Sequence, residues 1–270
     1  MERHKIINHM ERKKEPSAVI KGGIFALIAL LISYLGFSIP TFVESLKQDI
    51  QWRASALQLS LEPILFGGVV FMPIVCAWAS YVPYHVEVMR SGFVSFCLIR
   101  SDWRKYAMRH ITRAFFMGAA VVGGSFFLHA FIMNILATPY DVLRFPSQEL
   151  PFMEGTFAFN MHKVCYGLPL YLTMTLCHGV FGGAWCLIGL SLSTWMKDSI
   201  ISLAMMLCIK EFWIVFPRRI LGKSFPSPSL LLYEDLTLYT LLLSLAVYVV
   251  VCCIAVVLYV WGLKRSVRNE

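Results

Sequence analysis

Apolar residues in this chain are gathered into six long runs that are separated by shorter polar segments. A helix of about 20 mostly apolar residues is long enough to cross the hydrocarbon core of a bilayer. The pattern therefore predicts an all-α integral membrane protein with six transmembrane helices. The predicted spans are residues 22–39, 64–82, 111–136, 165–192, 199–216 and 236–262.

The segment between the second and third predicted spans, Tyr84–Arg113, is basic and amphipathic. In its first half, apolar and polar positions recur with the period of a helix. The apolar face carries Val86, Met89, Phe93, Phe96 and Cys97, and the polar face carries Glu87, Arg90, Ser91 and Ser95. Because Glu87 lies one turn before Arg90, we expect these two side chains to pair. The first half is thus predicted to be a helix in the membrane interface.

A second helix is expected after Gly92 interrupts the first, since glycine weakens a helix interior. Ser101 can cap this second helix. Along it, Lys105, Arg109 and Arg113 recur every fourth residue and form one basic stripe. We expect the stripe to lie at the level of the phospholipid head groups, before the chain crosses the bilayer again.

Composition agrees with a membrane protein, because only 15% of the 270 residues are charged and the mean hydropathy is +0.67. The net charge of +8 is therefore interpreted as a topology signal and not as a nucleic-acid-binding signal. With the amino terminus inside, the inner segments hold sixteen Lys and Arg residues and the outer segments seven. This bias predicts that both termini of this multi-pass membrane protein are cytoplasmic.

Three regions follow from this topology: a basic cytoplasmic or interfacial segment 1–21, a six-helix transmembrane domain 22–262 and a cytoplasmic tail 263–270. The basic start followed by an apolar run also resembles a signal peptide. However, the run 22–39 is long for a signal peptide and no small-residue cleavage site follows it. We therefore expect an uncleaved first span.

Motifs for catalysis, cofactor binding and metal binding are absent from the sequence, so neither a cofactor nor enzymatic activity is expected. There is no His-Glu-x-x-His pair, no Gly-x-Ser-x-Gly elbow and no Cys-x-x-Cys pair. The eight cysteines lie mostly in or beside apolar runs and are expected to be packing residues.

Ionisable residues within spans are possible pathway residues, since such groups often mark function in membranes. They are His129, His178, Lys210 and Glu211. The ordinary alternatives are an interhelical hydrogen bond for each histidine and snorkelling for Lys210. As adjacent residues on a helix, Lys210 and Glu211 are expected to point about 100° apart and not to face each other.

Small residues spaced four apart predict two helices that approach each other closely. Gly179 and Gly183 form such a pair in the fourth span. Ala119 with Gly123, and Ala120 with Gly124, form others in the third. We expect these pairs to serve packing within the chain.

Six spans, cytoplasmic termini and an amphipathic helix after the second span resemble an ATP-binding-cassette (ABC) transporter permease of the type-2 exporter class. The residues that carry the resemblance are Glu87, Gly92, Arg100, Lys105 and Tyr106. The resemblance implies that they form a coupling helix seated in a cytoplasmic ATPase. It also implies a loose match of residues 1–18 to the family's amino-terminal interfacial helix. For the whole chain it implies a place in the cell membrane, most simply a bacterial plasma membrane.

The resemblance further implies several partners: a cytoplasmic ABC ATPase dimer, a second permease subunit in a homodimer or heterodimer, and membrane lipids, with no nucleic acid. The expected function is ATP-driven export of an amphipathic or hydrophobic substrate, such as a peptide, a lipid or a drug-like molecule. Two alternatives remain open on the residues: an ATP-independent secondary transporter, and a non-transporting immunity or sensor subunit. An intramembrane enzyme is disfavoured by the missing motifs.

Overall fold

The computed structural model describes residues 2–48, 53–65, 71–91, 103–137, 160–161, 164–220 and 238–268. These ranges contain helices and no strands. The helices are α1 Glu2–Ser45, α2 Ala56–Leu65, α3 Met72–Ala79, α4 Val82–Arg90, α5 Trp103–Leu136, α6 Leu168–Met196, α7 Ser199–Ile220 and α8 Leu238–Arg268. A short 3₁₀ turn, Cys165–Gly167, precedes α6.

Four of the helices contain stretches that are long and apolar enough to cross a membrane. These stretches are Ala18–Ser45, Trp103–Leu136, Leu168–Met196 and Leu241–Arg265. The prediction of an all-α, multi-pass membrane protein agrees with them. The predicted second span, 64–82, falls on the end of α2, on residues outside the described part of the chain and on α3. The predicted fifth span, 199–216, falls on α7.

The first helix is longer than a membrane span requires. At about 1.5 Å per residue, its 44 residues extend over about 66 Å, whereas the hydrocarbon core is about 30 Å thick. α1 therefore continues without a break through the predicted boundary between segment 1–21 and the transmembrane domain.

Helix α6 lies at the centre of the bundle. Of its most apolar stretch, 61% is buried, against 44% for α5, 28% for α1 and 22% for α8. Its neighbours include α3, α4, α5, α7 and α8. The outward faces of α1 and α8 carry large exposed apolar side chains, such as Phe25 and Val257. Such faces suit contact with lipid tails or with another membrane subunit.

Glycines set the distance between α5 and α6. A Cβ on Gly118 would lie 2.5 Å from the carbonyl oxygen of Gly182. One turn further along α5, a Cβ on Gly123 would lie 2.9 Å from the carbonyl oxygen of Thr175 and 3.2 Å from Gly179. Because the obstacles are backbone atoms, they cannot turn aside as a side chain could.

The predicted packing role is confirmed at two of the small-residue pairs. A Cβ on Gly179 would meet Ala119, and one on Gly183 would lie 2.7 Å from the Phe115 ring. Gly124 instead faces α1, where its Cβ would lie 3.4 Å from Leu27. All these contacts are within the chain.

Contacts between the helices also fix their directions. Helices α1 and α5 run in parallel, since Gly23 meets Met117 and, further along both helices, Ser38 bonds to His129. The contacts Gly118–Gly182 and Gly123–Thr175 show that α6 runs antiparallel to α5. Helix α8 runs parallel to α6, because Tyr248 packs edge-on against Phe181 and, further along both helices, Gly262 lies beside Thr194.

Two ends of the bundle result from these directions. We call one the basic end: it combines α4, the start of α5, the α6–α7 junction and the end of α8. It carries Arg90, Lys105, Arg109, Lys197 and Lys264. The opposite end contains the carboxyl-terminal parts of α1 and α5 together with α2.

Candidate functional site

Helix α4 begins at the basic end, with Pro83 in its first turn where no amide donor is needed. Its buried residues include Val86 and Met89, and Glu87 and Arg90 are exposed. The predicted helical periodicity is confirmed over this described part. The predicted positions Phe93, Phe96, Cys97 and the Ser101 cap lie outside the described residues.

Arg90 joins α4 to the junction between α6 and α7. Its Nη2 donates to Asp198 Oδ2 at 2.7 Å, and its Nε donates to the Lys197 carbonyl at 2.8 Å. The predicted pairing of Arg90 with Glu87 is therefore wrong. Arg90 lies in the last turn of α4, and its side chain extends past the end of the helix to the Asp198 carboxylate.

The junction itself is a two-residue turn. Lys197 ends α6 in the left-handed conformation, with φ 49°. Asp198 Oδ1 then accepts hydrogen bonds from the backbone N–H groups of Ile200 and Ile201, which caps α7. These backbone bonds, with Arg90, hold the pKa of the Asp198 carboxyl below its ordinary value.

A buried group of imidazoles and phenols lies inside the basic end, and we call it the basic-end cluster. Its members are Tyr81, His85, Tyr106, His110 and Tyr259. The Tyr81 hydroxyl and His110 Nδ1 are 2.6 Å apart, and the Tyr259 hydroxyl and His85 Nε2 are 3.0 Å apart. Two hydrogen bonds therefore tie α4 and the residue before it to α5 and α8.

Contacts between aromatic rings also join the members of the basic-end cluster. The His85 and His110 ring centroids are 5.1 Å apart, and those of Tyr106 and His110 are 4.3 Å apart. Burial lowers the pKa of His85 well below its ordinary value, and His110 acts in the same direction. His85 is therefore neutral at neutral pH, as is expected for a buried imidazole.

The predicted coupling residues lie in different places in the structure. Glu87 and Lys105 are exposed at the basic end, on α4 and α5 respectively. Tyr106 is half-buried and joins the basic-end cluster through His110. Gly92 and Arg100 lie outside the described residues.

The other members of the cluster were missed by sequence reasoning, although a signal was present. The pattern Tyr-x-x-x-His occurs twice, at Tyr81–His85 and at Tyr106–His110, on either side of the basic loop. Residues four apart on a helix share a face. Two such pairs flanking one loop could have been expected to meet, whereas Tyr259 offered no comparable signal.

Aromatic and basic side chains alternate around the basic end. Lys264 Nζ lies 4.7 Å from the centroid of the Trp103 ring, and the Arg265 guanidinium lies 5.4 Å from that of Trp195. Trp195 also packs edge-on against Trp261, with centroids 5.0 Å apart. Tryptophan with Lys and Arg is the combination found at the level of lipid head groups.

The four possible pathway residues lie in three separate surroundings. His129 Nε2 is 2.9 Å from Ser38 Oγ on α1, so the predicted interhelical hydrogen bond is confirmed there. His178 instead bonds within its own helix, to the Met174 carbonyl at 2.7 Å, and stacks on Phe126 with centroids 4.4 Å apart.

Lys210 is buried, and its ammonium lies 3.6 Å from the centroid of the Phe71 ring. It also pairs with Glu211 at 3.2 Å, so the expectation that these two side chains do not face each other is wrong. The long lysine side chain spans the angle between adjacent helix positions. Glu211 itself is about half exposed.

A second polar group lies toward the opposite end, and we call it the α1–α2 polar site. It consists of Tyr34, Ser38, Thr41, Glu62 and His129. Ser38 Oγ donates to the Leu59 carbonyl at 2.9 Å, and the Thr41 hydroxyl donates to the Phe37 carbonyl at 3.5 Å. Burial raises the pKa of the Glu62 carboxyl. The structure thus places His129 in a polar setting formed by three helices.

Comparisons with protein-family models, with curated proteins and with solved structures give no match to this chain. The interpretation of both polar groups therefore rests on their own geometry.

Proposed function

We propose that this chain is the membrane-spanning permease subunit of an ABC exporter, driven by ATP hydrolysis in a separate ATPase subunit. One observation supports this most. At the basic end, α4 and the start of α5 present exposed charges, at Glu87 and Lys105, while their buried sides are bonded to other helices. The outer face of α4 and α5 is thus open to a docked protein, while their inner face is hydrogen-bonded to the bundle. Such an arrangement suits a segment that transmits movement from that protein to the other helices.

The proposed topology has six spans with the basic end in the cytoplasm. The predicted span 64–82, which includes α3, supplies the second crossing, and α7 supplies the fifth. Antiparallel contacts between α3 and α7 support this, since Trp78 Nε1 bonds to Ser202 at 3.1 Å and Phe71 meets Lys210. The positive-inside bias supports the cytoplasmic side for both termini.

Coupling would follow the bonds of the basic end. A shift of α4 against a docked ATPase would reach α8 through His85–Tyr259 and α5 through Tyr81–His110. It would reach the α6–α7 junction through Arg90 and Asp198. Packed helices have discrete arrangements, so such a shift can switch the access of a cavity between two permease subunits. ATP can bias the switch only by binding one state better than the other.

The remaining parts of the proposal concern partners and substrate. The exposed apolar faces of α1 and α8 suit lipids and a second permease subunit, in a homodimer or a heterodimer. An amphipathic or hydrophobic substrate, such as a peptide, lipid or drug-like molecule, suits a largely apolar bundle. The chain itself would have no ATPase activity.

The test is purification of the tagged full-length chain from its native membranes in mild detergent, followed by identification of companions. We expect an ABC ATPase to co-purify. The double variant Glu87→Ala with Lys105→Ala should lower its recovery several-fold. The matched control is Glu44→Ala with Lys47→Ala, a pair exposed at the opposite end, which should keep full recovery.

Other results would favour the alternatives. Transport that continues in ATP-free vesicles and responds to an ion gradient would replace the proposal with a secondary transporter. Tight binding of a peptide by the isolated chain, without transport in vesicles that contain the ATPase, would favour an immunity or sensor subunit.

A further inference from the structure

The last turns of α8 join an apolar face to a pair of cations. Exposed side chains recur along this helix in steps of four and three residues, so they share one face. They are Val250, Ile254, Val257, Trp261 and Lys264. The buried residues of the same stretch lie on the opposite face and include Ala255, Tyr259 and Leu263. The exposed face of α8 is therefore apolar over about three turns and ends in a positive charge.

Helix length places that charge at the depth of the phospholipid head groups. The apolar stretch Leu241–Arg265 is centred on Cys253. From that centre to Lys264 the helix rises about 16 Å, at about 1.5 Å per residue. Half of the hydrocarbon core is about 15 Å thick. An exposed lysine that follows a tryptophan by one turn at this depth has its ammonium among the lipid phosphates.

The Trp103 ring brings a second cation to the same place. Lys264 Nζ on α8 lies 4.7 Å from the centroid of this ring, and the Arg104 guanidinium on α5 lies 5.6 Å from the same centroid. Cations are attracted to the face of an indole ring. Two basic side chains from two helices are thus gathered around one half-buried ring.

Arg265 adds a third cation beside Lys264. Its guanidinium lies 5.4 Å from the centroid of the Trp195 ring, at the end of α6. Both Lys264 and Arg265 are exposed, and neither forms an ion pair with a described carboxylate. We call this group the α5–α8 basic surface. Its members are Trp103, Arg104, Lys264 and Arg265.

Charge determines which occupant fits the α5–α8 basic surface. A zwitterionic lipid would bring a cation of its own toward the three basic side chains, whereas an anionic lipid brings a net negative charge. A second copy of the chain, related by a twofold axis along the membrane normal, would bring the same cations of both copies together. An anionic lipid therefore suits this surface better than either alternative.

We propose that the α5–α8 basic surface binds the head group of an anionic phospholipid, with an acyl chain along the exposed apolar face of α8. Lysine binds phosphate as a point charge, and arginine adds directed N–H donors. The proposal goes beyond a general contact with membrane lipids, because it gives the lipid a charge class and a place. It does not depend on ATP-driven transport.

The test measures binding of the first lipid molecule to the full-length chain in detergent, by native mass spectrometry. Phosphatidylglycerol is the anionic probe, and phosphatidylcholine with the same acyl chains is the zwitterionic control. We expect Kd for phosphatidylglycerol to be about tenfold lower. Lys264→Gln should weaken phosphatidylglycerol binding about fivefold, the effect of one basic residue near an anionic lipid. It should leave phosphatidylcholine binding unchanged.

Two further variants separate a defined surface from general attraction to a basic protein. Lys47→Gln removes the same charge from an exposed lysine at the opposite end and should bind phosphatidylglycerol as the wild type does. Trp103→Leu keeps the net charge but removes the ring that gathers Lys264 and Arg104. It should weaken phosphatidylglycerol binding about two- to fivefold. Glycerol 3-phosphate, which has the phosphate without acyl chains, should not compete.

Four results would overturn the proposal. They are equal affinity for the two lipids, equal weakening by Lys264→Gln and Lys47→Gln, unchanged phosphatidylglycerol binding in both Lys264→Gln and Trp103→Leu, and full competition by glycerol 3-phosphate. The assay contains no ATPase. Loss of lipid selectivity would therefore leave the ATPase partnership standing, and absence of a co-purifying ATPase would leave the lipid site standing.

Discussion

The two buried polar groups of this molecule both contain tyrosine and histidine but differ in how their hydrogen-bonding atoms are satisfied. In the basic-end cluster, two phenols and two imidazoles pair directly across helices, at 2.6 Å and 3.0 Å. In the α1–α2 polar site, one imidazole bonds to a serine, while a phenol, a ring nitrogen and a carboxylate oxygen have no partner among the described residues. The basic-end cluster is not fully satisfied either, since Nδ1 of His85 has no hydrogen-bond partner among the described residues.

This difference bears on how much each group contributes to the stability of the bundle. Paired polar atoms inside a bundle hold particular helices together, because breaking a pair leaves a buried group unsatisfied. Unpaired atoms add nothing to the fold and lower its stability. Each of them therefore calls for an explanation, of which a bound water molecule is one.

The largest expected effect comes from breaking both polar groups at once through α5, the helix that they share. Gly118→Leu would place side-chain atoms against the Gly182 backbone, where even a Cβ would lie 2.5 Å from the carbonyl oxygen. Overpacking typically costs about 1–3 kcal/mol and more where the obstacle is backbone. We expect loss of monodisperse protein in gel filtration.

The matched control for this variant is Gly36→Leu. A Cβ on Gly36 would meet nothing within 4 Å among the described residues. This variant should therefore purify like the wild type. If Gly118→Leu does so as well, the close glycine contact between α5 and α6 does not exist in solution.

A sharper comparison removes one hydroxyl from each polar group. Tyr81→Phe leaves His110 Nδ1 without its partner and should destabilise the protein by about 1–3 kcal/mol. Tyr34→Phe removes a hydroxyl that has no partner among the described residues and should leave stability unchanged or higher. Thermal unfolding in identical nanodiscs measures both changes. Equal destabilisation by the two substitutions would show that the two groups do not differ as described.

Sequence reasoning succeeded where the signal is local. The periodicity of Val86 and Met89 predicted α4, and the spacing of Gly179 and Gly183 predicted a close helix contact. Both signals depend on which face of one helix a residue occupies. That is fixed by 3.6 residues per turn, whatever the rest of the chain does.

Sequence reasoning failed where the partner lies far along the chain. Helical spacing predicts that Arg90 pairs with Glu87, its neighbour on one helix, but its partner is Asp198, 108 residues away. Likewise, Tyr259 meets His85 across 174 residues. A helix face predicts that a polar residue is buried, yet it does not say which helix packs against it. The two polar groups depend on that choice.

The third prediction tests the α1–α2 polar site by pH. Burial raises the pKa of Glu62 above its ordinary value of 4.5, so the folded state holds the proton more tightly than the unfolded chain. The resulting stability is present below about pH 4.5 and is lost as the pH rises through the folded-state pKa. The glutamine in Glu62→Gln cannot ionise. The melting temperature of this variant, relative to that of the wild type, should therefore rise between about pH 4 and pH 7.

Asp198→Asn serves as the control with the opposite sign. The pKa of Asp198 is lowered, so its stabilising contribution is present at neutral pH and is lost as the pH falls through that pKa. This variant should therefore lose more stability at pH 7 than at acid pH. A Glu62→Gln difference that stays constant with pH would contradict the burial of that carboxyl.

The smallest effect is expected at the exposed connection of the basic end. The Arg90 and Asp198 side chains are 58% and 34% exposed, and exposed ion pairs contribute at most about 1 kcal/mol. Arg90→Ala should thus lower stability slightly, and the loss should shrink as salt rises, because ions screen exposed charges. The loss in Tyr81→Phe should not depend on salt, since its hydrogen bond is buried. Melting curves of both variants at low and high salt make the comparison, and a salt-independent loss in Arg90→Ala would place that ion pair in the interior.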